Sequence, residues 1–435
     1  MLKDVLKVKK DVLVVSDFDG TISTRDISYE LLRKFTKGGW EDINGEYIKG
    51  NIGSQEAFSR ILETIEASRS EMIDFIEEIS VVDPHFVQFH DYLKRQGIDL
   101  IIVSDGFKMY IDALMEKAGL NDIPIYANDI IEDENGRLKT VFPYYNEECG
   151  RCGTCKSNIV KKLLKEHDHI VFIGDGYSDS CAAAYPQTLF AKGFLYSHAA
   201  KEKIPCIHFD DFGDVHNEFE KDVKGVIFDL DETLVESLES IRTAFYYTLE
   251  KLNIDIGDAE MALKEMMHWP LSVGLEKIFA DVDVNLLVTT FREKYHSIYL
   301  DMTTVKGGMV EILEALKDRG IKSTVATNKK GTYARTLIDH LGLSGYFVKV
   351  IGAGDVENPK PSPDMVEAAM LEMGTEKSQT IFVGDSRVDI VTGENSGVEV
   401  YCLAQSVDTP ADLAKLKPKK FFYTTDELLR ELAPK

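Results

Sequence analysis

Apolar residues fall along this chain in two rhythms: short unbroken runs that suit buried strands, and spacings of three and four that suit helices. Val12-Leu13-Val14-Val15 is a run of the first kind, β-branched and short enough for a strand covered on both faces. From 25 to 78 the spacing turns helical, with Leu31, Leu32 and Phe35, then Phe58, Ile61, Leu62 and Ile65, on recurrent faces. Gly38-Gly39 and Trp40 read as a loop inside that block. Pro84 opens a helix carrying Phe86, Phe89, Tyr92 and Leu93, which Gly97 closes, and a second strand follows over 98–104. Next come a helix over 109–117, a hairpin with its turn at Asn135-Gly136, a helix over 159–165 and a strand over 170–173. A strand, a helical excursion and another strand imply a parallel sheet with right-handed crossovers. The first connection is far longer than a crossover needs, so residues 22–83 are expected to form a helical cap over the strand ends.

The same plan then repeats. A strand ends at Asp229, a helical block covers about 238–303, and strands recur at 323–327 and 380–383. The charged stretch from Asp210 to Lys224 reads as a linker. The expectation is an α/β protein of two Rossmann-like domains, 1–218 and 219–435, each with a parallel sheet and a cap inserted after its first strand. The period is a whole domain, which points to duplication or fusion rather than a solenoid.

Composition narrows the function classes. A length of 435 residues suits two or three domains, and 44% hydrophobic residues can pack them. The formal charge of −24 argues against sequence-independent nucleic-acid binding, though not against small anionic substrates. No apolar run approaches the roughly 18 residues needed to cross a bilayer, so no membrane role is expected. The first residues lack an apolar core followed by a cleavage site, so no secretion signal is expected. Six cysteines make no disulfide scaffold, and a reducing cytoplasm is the expected compartment.

The chemistry sits where strands end. Asp17 and Asp19 leave the first strand on one side, since residues two apart on a strand point the same way. Two like charges so close call for a cation or a shared proton. Asp229 and Asp231 repeat the arrangement. Each half then supplies a hydroxyl, a lysine and a further acidic pair: Ser104, Lys156 and Asp175 with Asp179, then Thr327, Lys360 and Asp385 with Asp389. These parts suit phosphoryl transfer, in which one carboxylate attacks phosphorus and a hard cation neutralises charge. A hydroxyl and an ammonium would hold the non-bridging oxygens, and the second Asp would exchange protons with leaving group and water.

With these four motifs in order, twice, each half resembles the haloacid dehalogenase superfamily of phosphatases and phosphotransferases. The resemblance implies that Asp17 and Asp229 are nucleophiles and that Asp19 and Asp231 are acid/base residues. It implies one magnesium ion per domain, held by Asp17, the Asp19 carbonyl and Asp175, and by Asp229, the Asp231 carbonyl and Asp385. Ser104 with Lys156, and Thr327 with Lys360, become phosphate clamps, supported by Asp179 and Asp389. The first half is most similar to the phosphoserine-phosphatase-like branch, and within it to the methionine-salvage phosphatases. The second is similar to the phosphoglycolate-phosphatase branch, with Glu232 where Gly is commoner. The implied substrates are small phosphorylated metabolites. A mutase or phosphotransferase in one half, or a silent binding module, stays open.

Cys149, Cys152 and Cys155 form C-x2-C-x2-C, which would hold zinc given a fourth ligand such as Cys181, His167 or His169. The favoured reading is a small-residue loop that presents Lys156. Trp40 and Trp269 are expected in the cap cores rather than in pockets; Lys329 and Lys330 after Asn328 would add positive charge near a phosphate, with solvent their usual place. Arg387 is expected to pair with Asp385 or Asp389, and Arg25, Asp26 and Glu30 are weaker candidates for the cleft between cap and core.

Overall fold

Burial follows the apolar runs strand by strand. The computed structural model describes residues 2–8, 11–79, 81–134, 137–405 and 407–433, and it divides into two compact units, Asp4–Glu220, and Lys221–Lys435 together with Met1–Lys3.

In the first unit the strands are β1 (Val12–Ser16), β2 (Asp99–Phe107), β3 (Ile125–Glu132), β4 (Leu138–Val141), β5 (His169–Gly174), β6 (Thr188–Ala191) and β7 (Cys206–His208). Their order is β7-β6-β5-β1-β2-β3-β4, parallel throughout except that β4 runs antiparallel to β3. Asn135 and Gly136, expected at the turn of this hairpin, lie outside the described residues. All five residues of β1 are buried between β2 and β5, with Ser16 opposite both Ile102 and Ile173. Asp17 therefore emerges from the middle of the sheet at its C-terminal edge, where parallel sheets present ligand sites. Helices Ile27–Phe35, Trp40–Ile48, Ser54–Leu62 and Arg69–Ile79 fill the long first connection.

The second unit repeats the design with β8 (Gly225–Phe228), β9 (Val235–Glu236), β10 (Thr304–Val305), β11 (Lys322–Lys330), β12 (Phe347–Ala353), β13 (Thr380–Gly384), β14 (Glu399–Leu403) and β15 (Lys420–Phe422). Its parallel sheet has the order β12-β11-β8-β13-β14-β15, with β8 between β11 and β13. β9 and β10 form a separate antiparallel ribbon at the two ends of the cap. Between them run helices Leu238–Lys251, Ala259–Met267, Leu271–Ile278 and Val284–Met302.

Two sequence expectations fail in the first unit. The stretch read as a linker contains a helix, Phe212–Glu220, whose Phe212, Val215 and Phe219 are buried. These residues form an i, i+3, i+7 stripe that the surrounding Asp and Glu residues mask in the sequence. They pack on Pro84–Gln96, with Phe86 and Phe212 rings 4.8 Å apart and Phe89 and Phe219 rings 5.1 Å apart. Burying each such side chain stabilises by about 1.5–3 kcal/mol, ample reason for a charged segment to fold. Asp83 ties both helix starts together, accepting from the His85 N–H at 2.8 Å and the Phe212 N–H at 3.0 Å. Trp40, expected in a loop, is instead the first residue of its helix, entered through the left-handed Gly39. Its buried ring packs edge-on against Tyr29 at 5.3 Å.

Candidate active sites

The turn after each central strand is made differently. Gly20 adopts φ +73°, and a Cβ there would sit 2.5 Å from Asp175 Oδ2. Glu232, at the matching place in the second half, takes φ +59°, a conformation that ordinarily disfavours a side chain. Its carboxylate offsets the strain by accepting from the N–H groups of Ser237 and Leu238 at 2.8 and 2.7 Å, at the start of the first cap helix.

Around these turns the two halves build one constellation. Lys156, the first residue of the helix Lys156–Leu163, places Nζ 2.6 Å from both Asp17 Oδ1 and Asp179 Oδ1. Lys360 places Nζ 2.7 Å from Asp229 Oδ1 and 2.6 Å from Asp389 Oδ1. Both lysines are buried, as are all four carboxylates. Asp179 Oδ2 accepts from the N–H groups of Asp175 and Gly176, and Asp389 Oδ2 from those of Asp385 and Ser386. Thr21 donates to Asp175 Oδ1 and Thr233 to Asp385 Oδ1, each at 2.7 Å. Gly174 and Gly384 allow this closeness, because a Cβ would meet Asp179 Cγ at 2.7 Å and Asp389 Cβ at 2.4 Å. The buried hydroxyls of Ser104 and Thr327 stand at the ends of β2 and β11 and accept from the Gly106 and Lys329 N–H groups at 2.9 and 3.1 Å.

Asp17, Asp175 and Asp179 bring carboxylate oxygens within 4.8 Å of one another, and Asp229, Asp385 and Asp389 do the same. One ammonium faces each set of three. Burial, then Asp179, raises Asp17 well above the usual carboxylate range, against the pull of Lys156. Burial, then Asp179, pushes Asp175 up to about 6, and burial pushes Asp229 up to about 7. Burial alone would lower Lys156 and Lys360, but their paired carboxylates more than reverse it and hold both ammoniums charged. Three clustered carboxylates around one cation leave an excess of negative charge, and hard oxygen donors so placed fit a divalent ion such as magnesium.

The partners of the second Asp in each pair diverge. Asp19 accepts from the Ile27 N–H at 3.0 Å and from the Tyr110 hydroxyl, which also meets Ser28. Burial, then the Asp26 charge, pushes Asp19 up to about 7. Asp231 accepts from the Ser237 hydroxyl at 2.7 Å and pairs with Lys329 Nζ at 2.8 Å. The expectation of a solvated Lys329 is thus overturned. Its side chain is 8% exposed, and it also donates to the Tyr295 hydroxyl at 2.8 Å. Nothing in the local sequence marks Lys329 or Tyr110 for these contacts, since their partners lie in cap residues and a strand-end turn far along the chain.

Other expectations change as well. Arg387 pairs with neither neighbouring aspartate. It reaches Glu265 Oε2 at 2.8 Å and His268 Nδ1 at 2.9 Å, at the end of a cap helix, because Asp389 is already taken by Lys360 and backbone N–H groups. Trp269 leaves the cap core to line a cavity of about 370 Å³, together with Asp229, Asp231, Lys329 and Lys360. Among the described residues, the cysteines form no group of three sulfurs at metal-holding spacing. His167 meets Asp11 at 2.7 Å and His169 meets Thr188 at 2.9 Å. Cys155 is buried immediately before Lys156. Arg151, within that loop, ties it to the first cap by donating to the carbonyls of Gly50 and Ile52. Asp26 caps the first cap helix through the Tyr29 N–H, and Arg25 lies exposed 3.9 Å from Glu30.

Residues 226–403 match the family model described as "Haloacid dehalogenase-like hydrolase", and residues 12–190 match the model described as "Putative Phosphatase". In the first half the chain is 30% identical over 212 residues to the "2-hydroxy-3-keto-5-methylthiopentenyl-1-phosphate phosphatase" of Brevibacillus brevis, covering 48% of this chain and 95% of that protein. A relative of the second half, "Putative pyrophosphatase PpaX" of Caldanaerobacter subterraneus, is 32% identical over 212 residues, covering 48% of this chain and 94% of its own. The crystal structure of a "predicted phosphatase" from Clostridium acetobutylicum covers 48% of this chain and 98% of its own, at 22% identity and a TM-score of 0.45. The chain belongs to the haloacid dehalogenase superfamily, with a phosphatase-type member of that family in each half.

Proposed function

We propose that both halves are magnesium-dependent phosphomonoesterases working through aspartyl-phosphate intermediates on small phosphorylated metabolites. The observation that carries this reading is the twice-built triad of Asp17, Lys156 and Asp179 and of Asp229, Lys360 and Asp389, buried at the ends of central strands.

In the first half Asp17 attacks the phosphorus of a bound ester, forming an O–P bond as the bond to the leaving alkoxide breaks. Asp19, pushed up to about 7, holds a proton near neutrality and gives it to the alkoxide. Water then attacks the aspartyl-phosphate while Asp19 takes back a proton, releasing inorganic phosphate and restoring Asp17. Lys156 and Ser104 hold the non-bridging oxygens, in a buried setting where such contacts count for more than in water. Asp229, Lys360 and Thr327 take the same parts in the second half, where Asp231 exchanges protons with the leaving group and water from beside the Lys329 ammonium. Asp17, the Asp19 carbonyl and Asp175, and their counterparts Asp229, the Asp231 carbonyl and Asp385, would hold magnesium. When bound, that ion supplies charge neutralisation at the phosphoryl group.

Acid quench during turnover of a general phosphate ester, followed by mass spectrometry, tests the reading. Phosphoryl adducts are expected on the peptides holding Asp17 and Asp229, and removing magnesium with EDTA should stop their formation. Turnover with neither adduct would refute the intermediate. Transfer of the phosphoryl group to an added alcohol without free phosphate would favour the phosphotransferase alternative.

A further inference from the structure

The two halves secure the start of the first cap helix with different residues. In the first half the second aspartate of the pair does it: Asp19 Oδ1 accepts from the N–H of Ile27, the first residue of the helix Ile27–Phe35. Its Oδ2 accepts from the Tyr110 hydroxyl. In the second half the neighbouring Glu232 takes over that task. Its Oε1 accepts from the N–H groups of Ser237, just before the helix Leu238–Lys251, and of Leu238, its first residue. Asp231 is therefore not bound to the helix start. It accepts instead from the Ser237 hydroxyl at 2.7 Å and faces Lys329 Nζ at 2.8 Å, both on Oδ1.

Glu232 keeps this place against its own backbone. At φ +59° a glycine would sit without strain and a side chain does not. The side chain is nonetheless buried, and its carboxylate meets the positive end of a helix. The Glu232 N–H also donates to the Val235 carbonyl at 2.8 Å, and Val235 pairs with Val305 in the ribbon through which the chain enters and leaves the cap. Ser237 is fully buried and held at both ends, its N–H by Glu232 and its carbonyl by the Ser240 hydroxyl at 2.7 Å. A residue so held has little freedom in where its own hydroxyl lies, and that hydroxyl meets Asp231. Glu232, Ser237 and Asp231 thus form one connected unit.

We infer that Glu232 is a positioning residue of the second site: by holding the cap-helix start itself, it fixes Ser237 and through it sets where Asp231 stands for proton exchange. This rests on the phosphatase reading, which gives Asp231 its proton to exchange. The misplacement of an acid costs most where the leaving group needs the proton, and little where the leaving group departs as a stable anion.

Replacing Glu232 in the full chain carrying Asp17→Asn, where turnover comes from the second half, tests the inference. With magnesium present, kcat/KM is measured for p-nitrophenyl phosphate, whose leaving group needs little help, and for phenyl phosphate, similar in shape but dependent on the acid. This parameter reports the steps up to departure of the leaving group. Glu232→Gly suits the turn and should fold. It should lose at least about tenfold toward phenyl phosphate and about threefold or less toward p-nitrophenyl phosphate. In Glu232→Gln an amide oxygen still accepts both N–H groups, and the parent ratio between the esters should return. Hydrogen exchange over residues 233–241 gives a readout apart from activity: it should quicken in Glu232→Gly and match the parent in Glu232→Gln. Equal losses toward the two esters, an unchanged ratio in Glu232→Gly, or unchanged exchange would overturn the inference and leave the phosphatase reading standing. Turnover of neither ester by the Asp17→Asn chain would remove the phosphatase reading of this half, and the positioning role with it.

Discussion

The two halves share their strand-end machinery to within about a tenth of an ångström in the lysine–aspartate distances, yet they treat the second aspartate in opposite ways. In the first half Asp19 is held by a phenol and a backbone N–H, and no cation among the described residues pairs with it. In the second, Asp231 faces the buried ammonium of Lys329. The caps differ too. The first is tied to the lysine-bearing loop, through Arg151 and through Ser54, which accepts from the Gly153 N–H. The second is tied to the loop of the last acidic motif through Arg387. The lesson is that the strand-end lysine–aspartate triads are built alike, while the surroundings of the second aspartate and the ties between cap and core are solved separately in each half.

The largest test of what is shared is removal of the central cation. Lys156→Ala and Lys360→Ala each leave two buried carboxylates without their ammonium, so each should destabilise its own unit by about 3–5 kcal/mol. Urea unfolding in EDTA would measure this. A loss confined to one of the two variants would break the symmetry argued here.

The contrast between the second aspartates predicts unequal losses. A bond to a charged group is worth about 1.5–3 kcal/mol against about 0.5–1.5 kcal/mol for a neutral pair. Lys329→Met should therefore lower kcat in the second half by about 10–100-fold, and Tyr110→Phe in the first by about tenfold or less. Steady-state kinetics in Asp17→Asn and Asp229→Asn backgrounds would report the two separately. Equal effects would erase the distinction.

Why were the shared parts legible in the sequence and the differences not? Asp17, Lys156 and Asp175 each sit at the end of an apolar run or at a helix start, so local pattern locates them. Lys329 looked like a surface lysine because the cap residue that covers it, Tyr295, lies 34 positions upstream in another element. Arg387 was misassigned for the same reason, since its partners Glu265 and His268 belong to the cap. The helix Phe212–Glu220 was hidden by composition, its three buried residues diluted among carboxylates. Glu232 was a visible departure, but its compensation, a helix start capped by its own side chain, becomes clear only in three dimensions.

A smaller effect concerns pH. Asp19 and Asp229 are pushed up to about 7 and Asp175 to about 6, from an ordinary 3.8. These carboxyls bind protons more tightly folded than unfolded. The stability they contribute is complete below about pH 3.8 and is lost as pH rises through 6 to 7. Metal-free protein should show Tm falling across that window from this contribution, and magnesium should offset the fall near neutrality. A Tm with the same pH dependence in EDTA and in magnesium would contradict the metal assignment. Smallest is the second cap tie: Arg387 and Glu265 are both nearly half exposed, so Arg387→Ala should cost about 0.2–1 kcal/mol. That would appear as a change of a few-fold at most in KM of the second half.

The central claim is that one chain carries two independent phosphatase centres. Its most direct test is magnesium-dependent phosphate release from a general ester such as p-nitrophenyl phosphate by the parent chain, Asp17→Asn, Asp229→Asn and the double variant. The account predicts that each single variant keeps the other half's activity, that the two residual activities add up to that of the parent, and that the double variant is inactive. Full activity in the double variant, or complete loss in one single variant with none in the other, would contradict it.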